Sequence, residues 1–198
     1  MIFEKGHFKS SRLQKSVITE SLSKSKSFSA KNAYDSKITV FLSHKHKDLE
    51  EIEEATGVIE MLEDLGAKVY IDSMDNKMPD QTSGGTAARI KEIIKYCDRF
   101  VLLATSKAIE SYWCNWELGL GDTHKYPNKI AILPVKDKGQ YDSQYKGNEY
   151  LQIYPRIDYY TAFTNYQGLY FKEGYYVKSL EDSDGRYYLT LLKDWLSK

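Results

Sequence analysis

Between residues 37 and 136, short apolar runs alternate with longer stretches of helical period. Residues 38–42 (Ile-Thr-Val-Phe-Leu) show no polar alternation beyond Thr39, the pattern of a central strand covered on both faces. After a loop at 43–47, Asp48 stands as an N-cap with Glu51 placed for a capping box. Leu49, Ile52, Ala55, Ile59, Leu62 and Leu65 then form an apolar helical stripe that Gly66 ends. Residues 67–71 predict a second strand, running into Asp72. The polar stretch 73–85 is too long for a simple connection, and loops of that length are usually functional or disordered. Its Gly84-Gly85 pair reads as a hinge in preference to a phosphate cradle. A second helix carries Ala87, Ile90, Ile93, Ile94 and Cys97, and strands are predicted at 100–104 and 130–135. This βαβαβαβ order implies an α/β fold with a parallel sheet and right-handed crossovers.

The flanks differ in character. Residues 1–36 are rich in Ser and Lys, and their few apolar positions keep no period, so they are expected to be a leader, flexible or draped over the domain. The domain is then 37–198, with a core at 37–136 and a tyrosine-rich extension at 137–198. In that extension residues 170–178 read as a hairpin turned at Glu173-Gly174, and Leu189, Leu192, Trp195 and Leu196 as a closing helix. The tyrosines suit a cover over the sheet edge and an interface equally well.

Composition removes several function classes. Basic and acidic residues balance at 28 each, so no basic excess points to nucleic acid or to an anionic membrane. Cys97 and Cys114 fit no metal or disulfide spacing and are expected to be free buried thiols. The histidines, His7, His44, His46 and His124, have no partners at zinc-like spacing, so no metal is expected. No run approaches the roughly 18 apolar residues of a membrane span, and the N-terminus has no signal-peptide core, so a cytoplasmic protein is expected.

Candidate chemistry gathers in residues 111–121, Ser-Tyr-Trp-Cys-Asn-Trp-Glu-Leu-Gly-Leu-Gly. One carboxylate, Glu117, sits there among two tryptophans, a cysteine and two glycines. Burial in that company disfavours the ionised form and raises the pKa. In open α/β sheets ligands bind outside the carboxyl ends of the strands. The exits of the first two strands and of the third all lie on that edge, so Ser43, His44, Lys45, Asp72 and Glu117 are expected to share one cleft.

Three motifs in order carry a resemblance. Phe41-Leu42-Ser43-His44 with Asp48, then Val69-Tyr70-Ile71-Asp72, then Trp113-Cys114-Asn115-Trp116-Glu117 resemble the boxes of the Toll/interleukin-1 receptor (TIR) family, most of all its stand-alone bacterial members. The likeness covers residues 37–136. It implies a flavodoxin-like sheet with flanking helices and cleavage of the nicotinamide–ribose bond of NAD+, a substrate rather than a cofactor, by a glutamate that maps to Glu117. It further implies ADP-ribose or a cyclic ADP-ribose-type product, a role in bacterial antiphage signalling, self-association through TIR–TIR contacts and a downstream effector that reads the nucleotide. Ser43, His44 and Lys45 fall where family members contact the dinucleotide, with Asp72 beside them. Trp113 or Trp116 is suited to stack on a base.

The chemistry agrees with this transfer. Breaking the bond leaves a ribosyl oxocarbenium ion, which a nearby anion stabilises, and nicotinamide departs neutral without a general acid. One glutamate is therefore enough, and none of the neighbours of Glu117 in the sequence is a second carboxylate. The loop after Asp72 has Met78-Pro79 in place of the Arg/Gly-Pro pattern of receptor domains, which favours the enzymatic branch. Two alternatives come from other classes: a silent scaffold acting by TIR–TIR association, and a nucleoside deoxyribosyltransferase-like enzyme. A phosphoacceptor receiver is disfavoured, because the third strand runs into Ala104-Thr105-Ser106 with no aspartate.

Overall fold

The computed structural model describes residues 2–8, 38–45, 49–72, 83–139 and 148–197. A seven-strand path forms the main sheet. Its central strands are β2 (Thr39–Ser43), β3 (Lys68–Tyr70), β4 (Arg99–Ala104) and β5 (Ile130–Lys136), all mutually parallel where they pair. β6 (Arg156–Tyr160) adds a further parallel strand, and β9 (Gly174–Lys178) and β10 (Leu189–Leu191) extend the sheet antiparallel. The spatial order is β10-β9-β6-β5-β4-β2-β3. Its parallel part has the 2-1-3-4-5 order of the flavodoxin-like fold, as expected, and the fifth strand comes from the tyrosine-rich region.

Alternating side chains of these strands feed two cores. On one face Val40, Leu42, Val101, Leu103 and Leu133 pack against α1 (Leu49–Asp64) and the C-terminal turn α5 (Leu192–Trp195). On the other, Phe41, Tyr70, Phe100, Leu102 and Ile132 pack against α2 (Gly84–Tyr96), α3 (Ser106–Ile109) and α4 (Tyr112–Lys125). The strands are buried on both faces, which is why they read as unbroken apolar runs. Gly121 lets α4 lie directly on the sheet, since a Cβ there would stand 2.8 Å from the Phe100 ring.

Several local expectations are corrected. Gly84 and Gly85 form the first turn of α2, capped by Ser83, whose hydroxyl accepts from the Thr86 amide; they are neither hinge nor cradle. Residues 170–178 make no hairpin. β8 (Tyr170–Phe171) pairs instead with β7 (Phe163–Thr164), and β9 pairs with β6 and β10. Glu173-Gly174 is therefore the passage between two sheets. The closing helix is a single turn, with Leu189 in a strand ahead of it. Asp48 and the 73–82 stretch with Met78 and Pro79 lie outside the described residues.

Residues 2–8 are built into the domain. β1 (Phe3–Glu4) runs parallel beside β5 at Val135 and Lys136, next to the edge that β6 meets only at Ile132. Phe3 and Phe8 enter the α1-side core. The segment also explains two buried acids on α1. Glu54, 0% exposed, accepts the Gly6 and Phe8 amides, while Glu51 takes Lys5 at 3.1 Å and the Thr105 hydroxyl at 2.5 Å. Buried carboxylates persist only when hydrogen-bonded or paired in this way. Gly57 permits the crossing: a Cβ there would fall 1.5 Å from the Phe8 carbonyl oxygen.

Candidate active site

Helix α4 carries the focal stretch. Ser111 caps it, its hydroxyl accepting from the Cys114 amide at 3.5 Å, and this start aims one side of the first two turns at the end of β2. Cys114, Glu117, Leu118 and Gly121 lie on the buried side at helical spacing.

Glu117 is 1% exposed. Its Oε2 accepts the Ser43 hydroxyl at 2.5 Å, and its Oε1 is buried with no hydrogen-bond partner. Burial raises the pKa of this carboxyl well above the ordinary value of 4.5, and the nearby charge of Asp72 raises it further. Ser43 and, to a smaller degree, the Trp113 side chain work the other way by favouring the anion. A carboxyl sealed at the sheet edge with one bare oxygen is suited to a cationic partner. Such a partner would lower the pKa and restore the charge.

The other sequence-predicted residues converge here. Ser43 is itself 1% exposed and its hydroxyl is committed to Glu117. His44 is buried at 2% exposure, and its carbonyl accepts the Cys114 thiol at 3.4 Å. Lys45 reaches back to Ser111, Nζ to Oγ 3.4 Å, tying the loop after β2 to the cap of α4. Trp113 is half-buried with its ring 5.0 Å from that of Trp116, and Tyr112 stands 94% exposed beside them. Both cysteines are free and buried, and burial first of all pushes the Cys114 thiol up to about 11, which makes it a poor nucleophile.

Asp72, expected in one cleft with Glu117, is close enough for its charge to act on it. One network was missed in the sequence: Tyr150 Oη donates to Asn115 Oδ1 at 2.5 Å, and Asn115 Nδ2 donates to the Ile109 carbonyl at 2.8 Å, bracing the exposed side of α4. A separate cavity of about 620 Å³ opens at the far end of α4, lined by Tyr126, Tyr154, Arg156 and Lys178 among others, and contains none of the predicted site residues.

Among the described residues no helix is long and apolar enough to cross a membrane, and no group of three His, Cys, Asp or Glu side chains is arranged to hold a metal ion.

Comparison with known proteins bears on this geometry. A curated protein of Bacillus cereus (strain MSX-D12), described as a probable 3' cyclic ADP-D-ribose synthase ThsB', is 33% identical over 153 residues, covering 76% of this chain and 72% of that one. A solved 2-deoxyribosyltransferase from Bacillus psychrosaccharolyticus overlaps 48% of this chain and 70% of its own at 19% identity and a TM-score of 0.39, and no inference passes from it at that level. The profile of the TIR domain matches residues 40–168, from β2 through the fifth parallel strand and past β7. The chain is a member of the TIR domain family.

Proposed function

We propose that this protein cleaves the nicotinamide–ribose bond of NAD+, releasing nicotinamide and giving ADP-ribose or a cyclic ADP-ribose-type signal. The observation that carries the reading is Glu117, a buried carboxyl at the carboxyl edge of a TIR sheet with one oxygen held by Ser43 and the other bare. The relative's description as a cyclic ADP-ribose synthase supports the same class of product.

The chemistry runs from charge. Burial and the charge of Asp72 both favour the protonated form of Glu117. The positive pyridinium of NAD+ works the other way and favours the anion. As the glycosidic bond lengthens, positive charge moves from the pyridine ring to the ribosyl carbon and ring oxygen. A fixed anion in a water-poor site stabilises that charge without reorganising. Trp113 and Trp116, their rings tilted 40° to one another, offer aromatic surface beside it.

The biological setting that fits is bacterial antiphage signalling in the cytoplasm, with an effector that reads the nucleotide product. Self-association through TIR–TIR contacts belongs to the same reading, and the exposed Tyr112 and Trp116 next to the site are suited to it.

The test is direct. The purified full chain is incubated with NAD+ and the products are separated by chromatography, with Glu117→Gln as control. Nicotinamide release by the parent and not by the variant is expected. Intact NAD+ with the folded parent at all protein concentrations would leave the scaffold reading in its place.

A further inference from the structure

Residues 2–8 meet the domain at a carboxylate that leads, bond by bond, to the candidate site. Lys5 Nζ stands 3.1 Å from Glu51 Oε1 and 3.0 Å from Glu50 Oε2. Both acids lie in the first turn of α1, but Glu50 is open to solvent and Glu51 is 1% exposed. A buried carboxylate charge is costly unless it is paired and hydrogen-bonded. For Glu51 the cation comes from residues 2–8, and the hydrogen bond comes from the end of β4.

That second partner is Thr105, which follows β4 directly and is 2% exposed. Its hydroxyl donates to Glu51 Oε2 at 2.5 Å, and its oxygen accepts the Ala108 amide at 3.2 Å as the N-cap of α3. One hydroxyl is thus fixed from both sides, by a buried acid behind it and a helix start ahead of it.

From α3 the path continues into the helix of Glu117. The Ala108 carbonyl accepts the Ser111 amide at 3.0 Å, and Ser111 caps α4. Asn115 Nδ2 donates to the Ile109 carbonyl at 2.8 Å, so α3 and α4 are tied at two points. β4 also pairs with β2, Leu102 lying opposite Ser43. The 2.5 Å bond from Ser43 to Glu117 then closes a loop of contacts, and it forms only if β2 and α4 keep one spacing. Lys5, Phe3 and Phe8 sit on the α1 side of the sheet, whereas α4 packs on the other, so the path crosses the sheet at its carboxyl edge.

We infer that Glu51 and Thr105 are positioning residues for Glu117, and that Lys5 completes the arrangement by neutralising Glu51. Residues 2–8 are then part of the apparatus that aims the carboxylate, although none of them touches it. The physical reason is that an electrostatic stabiliser works only when held in place beforehand, and a misplacement of about 1 Å from a distant change can cost about a hundredfold in rate. This inference rests on the NAD+ reading above.

The experiment measures nicotinamide release from NAD+ by the full chain, at a temperature where thermal melts show every variant folded. Thr105→Val removes the shared hydroxyl, and kcat should fall roughly 10- to 100-fold with KM within about twofold, the mark of an interaction felt in the transition state. Thr105→Ser keeps the hydroxyl and should restore kcat to within about threefold of the parent, since serine caps a helix as well as threonine does. Lys5→Met tests the far end of the path and should lower kcat in the same way, again with KM held. Val177→Ala weakens the core on β9, which β5 and β6 separate from β4, and should leave kcat unchanged. Parental kcat in both Thr105→Val and Lys5→Met overturns the inference, and so does a loss that Val177→Ala matches at an equal drop in melting temperature. A folded parent chain that releases no nicotinamide overturns the NAD+ reading and this inference with it, so the two failures are told apart.

Discussion

Replacing Glu117 by Gln removes one charge and almost no volume, and its consequences for rate and for stability have opposite signs. For the rate, an anion roughly 4 Å from a developing unit charge, at an effective dielectric constant of about 20, contributes about 4 kcal/mol. That corresponds to roughly a thousandfold in rate, at the upper end of what removal of a single preorganised electrostatic group costs. For stability the sign follows from linkage. The folded-state pKa of Glu117 lies above its ordinary value of 4.5, so the folded chain holds that proton more tightly than the unfolded chain does. The stabilisation this provides is complete below about 4.5 and is lost as pH rises through the folded value. Glu117→Gln should therefore melt at a higher temperature than the parent at pH 8, and the difference should close as pH falls toward 4.5. Nicotinamide release followed by chromatography gives the rate, and thermal melts across pH give the stability. A folded variant with less than a tenfold loss of rate would refute the electrostatic argument, and a variant melting below the parent at pH 8 would refute the burial argument.

Ser43→Ala removes the donor 2.5 Å from Oε2, a charge-assisted bond of about 1.5–3 kcal/mol, so turnover at pH 6 should fall roughly 10- to 100-fold. Its acidic limb should move to higher pH, since a group favouring the anion is lost; an unmoved pH–rate profile would count against the assignment. Gly57→Ala places a Cβ 1.5 Å from the Phe8 carbonyl oxygen and should lift residues 2–8 off α1. With Phe3 and Phe8 uncovered, at about 1.5–3 kcal/mol each, denaturant melts should show about 3 kcal/mol or more of destabilisation, and Phe8→Ala should then add little. Cys97 and Cys114 are both 1% exposed, so a thiol reagent at pH 8 should label neither until the chain unfolds; fast labelling of the native protein would contradict their burial.

The amino-acid sequence by itself determined what depends on near neighbours. Strands covered on both faces have to be apolar throughout, so 38–42, 100–104 and 130–135 were legible, and with them the parallel α/β order. Residues 111–121 stood out by their composition, and the structure buries their carboxylate, Glu117, on the same side of the helix as Cys114, Leu118 and Gly121. Tertiary structure decided what depends on which edges and faces meet. Residues 170–178 carry the alternation of a hairpin, but pairing depends on the open edges available, and β6 and β10 offered β9 better ones than β8 did. Glu51, placed by its spacing for a capping box, instead takes Lys5 and Thr105, and Glu54 is buried with it once residues 2–8 cross over them, a contact spanning more than 40 positions in the chain. That Ser43 and Glu117 would share a cleft was expected, but the bond between them, 74 residues apart, exists only because the helix packs its buried side against the end of β2. Periodicity reports which way a side chain faces, and only the packed sheet settles what it faces.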